Sequence, residues 1–345
     1  MPVVFVGDIA VEQSVESSVR FDDELVVANF EGAIHSQDQL KDRVVYNGPC
    51  AIEFLKNSGI DAVGLANNHI FDVGDNIEST ISLLQKNNVQ CAGAGKNISQ
   101  AVIPLEANVD GADVVVFVAG WSVIGCQPAS QQKPGVVPLD APLLFRLLDG
   151  TLFAKPSAKI IFFLHWNYEL ELYPQPAHRQ LAFELIKRGA AAVVGAHSHC
   201  VQGVEQVGDG VVFHGLGNWM FPHNRFFNGR LAFPDFAKKQ MACKIDVTGE
   251  NHKVMWFEFE DNCRIVLKDE TGLDSSRVSK LTPYAGMSHK EYVKWFRINR
   301  RKKKLLPIYK DYRHRYRNFA KNKFVRARQF GLDSLVEFGL KGAPK

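Results

Sequence analysis

Ala190-Ala-Ala-Val-Val-Gly-Ala-His197-Ser198-His199 is the stretch on which the reading of this chain turns. A run of small and β-branched residues with no polar position is the pattern of a strand buried on both faces, and this one stops at two metal-binding side chains. Four other apolar runs stop in the same way. Pro2-Val-Val-Phe-Val-Gly ends at Asp8, Leu25-Val-Val-Ala-Asn-Phe at Glu31, Asp61-Ala-Val-Gly-Leu-Ala at Asn67-Asn68-His69, and Ile160-Ile-Phe-Phe-Leu at His165. In open α/β sheets, ligands bind at the carboxyl edge of the strands, so residues scattered over 192 positions are expected to converge on one site.

The residue types narrow the chemistry. Imidazoles, carboxylates and an amide oxygen, with no cysteine among them, favour Mn, Fe, Zn or Co over a thiolate zinc or a calcium cage. His197 and His199, read as i and i+2 on an extended segment, are expected to diverge and reach two ions. Paired ions of this kind clamp the attacking and leaving oxygens in phosphate ester hydrolysis. Each piece also has a plainer reading. A single strand-end histidine such as His165 is often a hydrogen-bonded core residue, Asp8 after Gly7 suits a turn, and His197-Ser198-His199 suits a polar loop. Asn68-His69-Ile70-Phe71-Asp72 suits a helix N-terminus with Asp72 as its cap. The joint occurrence at five strand ends is what points to a metal centre.

At these residues the chain resembles the CapA family of capsule and polyglutamate synthesis proteins, within the calcineurin-like metallophosphatase superfamily. The matching motifs are Gly7-Asp8, Asn29-Phe30-Glu31-Gly32, Leu65-Ala66-Asn67-Asn68-His69 with Asp72, His165-Trp166-Asn167, Gly195-Ala196-His197-Ser198-His199 and Leu216-Gly217-Asn218-Trp219, spanning roughly residues 3 to 225. The resemblance implies a four-layer α/β/β/α sandwich, with Asp8 and His199 holding one divalent ion and Asn68, His165 and His197 the other. Glu31 takes the place of the bridging carboxylate. His69 resembles the superfamily histidine that contacts the phosphate and protonates the leaving oxygen, and Asp72 would orient it. Asn67, Trp166, Glu169 and Asn218 are the candidate substrate contacts. Two departures stand out: Asp8 is followed by Ile9-Ala10 where the superfamily has Asp-x-His, and Glu31 replaces an aspartate.

Between the motifs, strand and helix patterns alternate. Residues 77–88 and 179–189 read as amphipathic helices, 89–95, 112–119 and 211–218 as strands, and 241–247 with 253–259 as a hairpin turning at Gly249-Glu250-Asn251. Gly93-Ala-Gly-Lys lacks the spacing of a phosphate-binding loop and reads as a turn. Trp121, Trp166 and Trp219 fall at strand ends, where they either stack on a sugar or base or pack in the core. The irregular stretches 122–140 and 222–238 suit specificity loops.

A chain of 345 residues, 46% apolar and 23% charged, is ordinary for a globular protein with a large core. No apolar run approaches the roughly 18 residues of a membrane span. The first strand begins at once, with no signal-like segment, and the six cysteines are scattered without a Cys-x-x-Cys pair, so a reducing cytoplasm is expected.

The C-terminal part differs in kind. From Lys290 to Arg328 there are 16 Lys and Arg against Glu291 and Asp311, a net +14 in a chain of net +4, which leaves the remainder at −10. Charge concentrates at Arg297 to Lys304, and Tyr309, Tyr312, Tyr316 and Phe319 recur at helical spacing. Residues 290–328 are expected to lie on an anionic membrane surface, to pack across the acidic domain, or, less favoured, to bind nucleic acid. The division expected is a metallophosphatase-like domain over 1–265, a linker over 266–288 and a basic, mainly helical tail over 289–345. Function is expected as a metal-dependent phosphatase-like protein of bacterial capsule polysaccharide biosynthesis, attacking a phosphate monoester on a sugar or glycan with a metal-held hydroxide. The alternatives are a noncatalytic metal-binding scaffold of a capsule or polyglutamate synthase, and a phosphodiesterase acting on nucleic acid.

Overall fold

The computed structural model describes residues 1–36, 44–249, 251–260, 263–301 and 306–337, with side chains through 332. Glu250 of the expected hairpin turn, Lys302 to Lys304 of the basic run and residues 338–345 lie outside the described residues.

Two sheets stand face to face. The first contains the parallel strands β1 (Val3–Ile9), β2 (Leu25–Phe30), β3 (Ala62–Gly64) and β4 (Gln90–Ala92), and β5 (Ala94–Gly95) follows to form a small ribbon with β8 (Gly135–Val136). The second sheet is made of β6 (Leu105–Val109), β7 (Ala112–Gly120), β9 (Lys159–His165), β10 (Ala192–Ala196), β11 (Val204–Val207) and β12 (Gly210–Phe213). Its order is β11-β12-β10-β9-β7-β6, with the central four parallel and the two edges antiparallel. The chain then returns to the first sheet as β13 (Asn218–Met220), β14 (Lys239–Ile245), β15 (Lys253–Glu260) and β16 (Arg264–Gly272). This gives the order β16-β15-β14-β1-β2-β3-β4, with β13 beside the end of β1.

The alternation of side chains along the second sheet explains why it is covered twice. Val114, Val116, Val118, Ile161, Phe163, Ala192 and Val194 pack toward the first sheet, where Phe5 meets Phe163 edge-on at 5.2 Å. Val115, Phe117, Ala119, Ile160, Phe162, Leu164 and Val193 pack the other way, against the helices Ala141–Ala154 and Pro176–Lys187. Residues i and i+2 share a face of a strand, so an unbroken apolar run fills two cores at once. Helices Ala51–Asn57 and Ile77–Lys86 cover the first sheet and complete the four-layer α/β/β/α sandwich. Among the described residues no helix is long and apolar enough to cross a membrane, and Cys126, Cys200 and Cys243 are buried thiols while Cys50, Cys91 and Cys263 are half-buried.

Four expectations need correction. Residues 211–218 are not one strand: β12 stops at Phe213, and the chain crosses between sheets through Gly215 and Gly217 before β13 begins. The boundary at 265 cuts β16, and 266–288 is no linker, since it holds most of that strand, the helix Ser276–Leu281 and the buried Tyr284. β16 is an exposed edge strand, so it lacks the apolar alternation that marks a strand in sequence. Tyr309, Tyr312, Tyr316 and Phe319 do not share one helix, although the tail is mainly helical. Tyr292 and Phe296, in the helix His289–Asn299, are buried with Tyr284, and Tyr309 packs edge-on against Trp121 at 4.9 Å. Tyr309 and Tyr312 therefore precede the last helix, Arg315–Glu337, and are held by tertiary packing.

Candidate metal centre

The five strand ends meet, but from two sheets rather than one: β1, β2 and β3 deliver Asp8, Glu31 and Asn68 from one side, while β9 and β10 deliver His165, His197 and His199 from the other. Two glycines let the crossover segment 214–217 run close against β1 and β10. A Cβ on Gly7 would run into the carbonyl oxygen of Gly217, and one on Gly195 into that of His214. Each lies just ahead of a candidate metal ligand, so the backbone crossing and the placement of that side chain are one feature.

The separation of His197 from His199 has a different cause from the one expected. β10 ends at Ala196, and both histidines adopt left-handed backbone, with φ of 83° and 52°. Such conformations are costly for residues with a Cβ and persist where the surroundings enforce them, commonly at functional sites. The kink turns His197 toward His165, with ring centroids 4.7 Å apart, and sends His199 to Asp8, with Nδ1 3.0 Å from Oδ2.

One half of the site gathers Glu31, His165 and His197, each offering a ligand atom within 4.8 Å of the others. Asn68 joins them through Oδ1, 2.7 Å from His165 Nε2. The other half holds Asp8 and His199, whose Nδ1 is also 2.8 Å from Asn218 Oδ1. Glu31 lies between the halves, with Oε1 3.6 Å from His165 Nε2 and 3.8 Å from His69 Nε2. Asn29, to which the sequence reading gave no role, joins them: its Nδ2 donates to Asp8 Oδ1 at 2.9 Å and to Glu31 Oε2 at 2.6 Å. The available signal was its place two residues before Glu31, on the same face of β2.

Electrostatically the protein alone is frustrated here. Burial, and then the charge of Asp8, push the Glu31 carboxyl up to about 8. Burial drives His165 down to about 3 and His197 well below the imidazole range, so both present neutral rings. For His199 burial opposes protonation, but the Asp8 carboxylate, aided by Glu31 and Glu169, outweighs it and raises the group to about 9. Glu31 Oε1 and His197 Nδ1 are buried with no hydrogen-bond partner. Buried polar atoms are costly when left unpaired, and neutral imidazoles beside carboxylates are the ligands that a divalent cation prefers. The residues therefore fit such an ion, which would hold Glu31 in its ionised form.

Among the other expected residues, His69 and Asp72 are paired, Nδ1 to Oδ2 at 2.7 Å, so Asp72 does not cap a helix. The following helix begins at Ile77. Glu169 is exposed, and its charge helps to raise both His69 and His199. Asn67 is buried and engaged with backbone: Oδ1 accepts the N–H groups of Gly32 and His69, and Nδ2 donates to Phe30 O at 2.7 Å. It ties two site loops together. Trp166 is not a stacking platform, since it is fully buried, donates to His214 O at 3.0 Å and stacks on His178 at 5.1 Å. Trp121 and Trp219 are buried as well, because a strand-end aromatic in a four-layer fold has an inner layer to fill.

A family model described as bacterial capsule synthesis protein PGA_cap matches residues 2–223, a span that holds every side chain of this site. The chain belongs to that family. Curated relatives of this PGA_cap chain include the PGA biosynthesis protein CapA of Bacillus subtilis (strain 168), 29% identical over 224 residues, 62% of this chain and 57% of the relative. The capsule biosynthesis protein CapA of Bacillus anthracis is 25% identical over 173 residues, 49% of this chain and 42% of that protein. The PGA_cap chain thus spans about half the length of the curated relatives it matches. Among solved structures, the 5'-nucleotidase precursor from Thermus thermophilus is 12% identical with a TM-score of 0.42, over 79% of this chain and 54% of its own. The 5'-nucleotidase from Candida albicans SC5314 is 10% identical with a TM-score of 0.44, over 70% and 44% respectively.

Proposed function

We propose that this chain is a metal-dependent phosphoric ester hydrolase of bacterial cell-surface polymer biosynthesis, acting on a phosphate monoester of a sugar or glycan. The observation that carries the reading is the convergence of Glu31, His165 and His197 with unpaired buried ligand atoms, beside a second half made by Asp8 and His199. Divalent ions held there would polarise a phosphoryl oxygen and lower the pKa of a water molecule. The chain's own residues divide the remaining work. Neutral His165 and His197 offer lone pairs, Asn29 fixes the two carboxylates relative to each other, and Asn218 orients His199. His69, fixed through Nδ1 by Asp72, keeps Nε2 directed at the site, the arrangement of a general acid for the leaving oxygen.

A second reading, a noncatalytic metal-holding scaffold for a polymer synthase, is favoured by one observation. Ala10 stands where the superfamily's Asp-x-His would put an imidazole, and it is buried among Phe221 and Phe226, so the Asp8 half has one nitrogen donor fewer. Metal content of the purified protein, with turnover of a chromogenic phosphate monoester and diester under Mn, Fe, Zn and Co, separates the readings. Monoester turnover that tracks metal loading is expected. Bound metal with no turnover under any of the four would favour the scaffold, and diester preference would favour a phosphodiesterase.

A further inference from the structure

The last helix, Arg315–Glu337, shows two unlike faces. Its inner side is anchored: Val325 is buried in the core of the second sheet's helix layer, Asn322 Oδ1 accepts the Tyr309 hydroxyl at 2.8 Å, and Lys321 Nζ donates to Ile308 O at 2.8 Å. With the helix fixed this way, Tyr316, Phe319 and Phe324 are left in solvent, 93%, 58% and 50% exposed. Tyr316 and Phe319 fall at i and i+3 on one stripe, with Phe324 beside it. Isolated exposed aromatics need no explanation, whereas three on the outer side of one helix mark a surface that something covers.

The charges say what covers it. Between Tyr312 and Leu332 there are seven Lys and Arg and no Asp or Glu. Arg317, Lys323 and Arg326 are exposed alongside the aromatic stripe, and Lys323 Nζ lies 4.7 Å from the centre of the Phe319 ring. A helix docked only to neutralise the acidic remainder of the chain would turn its cations inward. Aromatic rings that enter a headgroup layer, flanked by long cations that stay at its surface, are instead the arrangement of an interfacial helix on anionic lipid. We infer that the outward face of helix Arg315–Glu337 binds an anionic membrane surface through Tyr316, Phe319 and Phe324 with Arg317, Lys323 and Arg326. The segment expected on the membrane from residue 290 is thereby narrowed, since Tyr292, Phe296 and Tyr309 are buried against the domain. This inference stands apart from the chemistry of the metal centre.

The test uses the full chain and vesicles of phosphatidylcholine with or without about one third phosphatidylglycerol. The protein should sediment with the anionic vesicles, stay in solution with the neutral ones, and be released by salt, which screens the attraction. The triple variant Tyr316→Ser, Phe319→Ser, Phe324→Ser and the pair Arg317→Glu, Lys323→Glu should each lower partitioning at least on the order of tenfold, with an unchanged melting temperature because none of these side chains is buried. Equal binding to both vesicle types, no binding to either, or undiminished binding by both variants would overturn the inference. So would a concentration-dependent dimer, or retention on nucleic acid, that the triple variant abolishes in a protein without affinity for lipid.

Discussion

His69 Nδ1 sits 2.7 Å from Asp72 Oδ2, and that same oxygen accepts the backbone N–H of Val45 at 2.9 Å. Asp72 therefore holds the imidazole and a neighbouring loop at once. Burial opposes a proton on His69, but the hydrogen bond and charge of Asp72, with Glu31 and Glu169, outweigh it and raise the group above the ordinary imidazole range. His69→Asn should keep its metal and lose turnover by a factor on the order of 10² to 10⁴ on a substrate with a basic leaving group. With nitrophenolate as leaving group much of the loss should disappear. Asp72→Asn should bring the alkaline limb of the pH profile to lower pH, because a group whose raised pKa is released gives up its proton sooner. An unmoved limb would show that Asp72 only supports the loop.

Metal retention should divide the site unevenly. His197→Ala removes a ligand from the half with three clustered donors, so it should lower metal content and melting temperature together, since an ion that binds only the folded state stabilises it by about 2.7 kcal/mol at a hundred times Kd. Asp8→Ala touches the half with fewer donors and should cost at most one ion per chain. Full metal content in His197→Ala, measured by elemental analysis, would remove that residue from the ligand set.

Trp166 offers a test of core against substrate contact. Trp166→Phe keeps most of the packing volume but loses the hydrogen bond to His214 O and part of the stack on His178. The buried carbonyl is left unpaired, a cost of about 1 to 3 kcal/mol in urea denaturation, and KM per folded molecule should stay the same. A raised KM with unchanged stability would point to sugar stacking.

The strand ends were legible because a strand covered on both faces reads as an unbroken apolar run, against which Asp8, Glu31, His165 and His197 stand out. Which sheet each strand joins was not legible, since Ile160-Ile-Phe-Phe-Leu has the same apolar character in either. The kink at His197 was hidden for a related reason: nothing in Ala196-His197-Ser198 signals left-handed backbone, which tertiary packing imposes. β16 escaped because an exposed edge carries Lys268, Asp269 and Glu270 where a buried strand would carry Val and Ile. The tail was half legible. Its charge was plain, but only the fold separates Tyr309, packed under Trp121, from Tyr316, in solvent.

Arg179 and Glu205 form a bidentate pair at 2.7 and 2.6 Å, and His214 Nε2 completes it 3.0 Å from Glu205 Oε2. All three are buried, beneath the segment that carries Tyr284. Burial alone would raise Glu205, yet the hydrogen bonds from Arg179 and His214 outweigh it and hold its carboxyl below the usual range. Burial also lowers His214, which the attraction of Glu205 does not reverse, so the ring stays neutral near pH 7. Both shifts have the same sign for stability. A depressed carboxyl stabilises the fold above its unfolded value of about 4.3 and ceases to as pH falls through its folded value, while a depressed imidazole loses stability once the unfolded ring takes up a proton below about 6.5. Acidification from pH 7 should therefore lower the melting temperature in two stages, first below about 6.5 and again below about 4.3. His214→Gln should remove its own share of the first stage, to which the buried neutral rings of His165, His178 and His197 also contribute, and Glu205→Gln, by leaving Arg179 buried and unpaired, should destabilise the protein by about 3 to 5 kcal/mol at neutral pH. A His214→Gln variant whose melting temperature falls as steeply as the parent's from pH 7 to 5, or a Glu205→Gln variant as stable as the parent, would show that this network does not carry the load assigned to it.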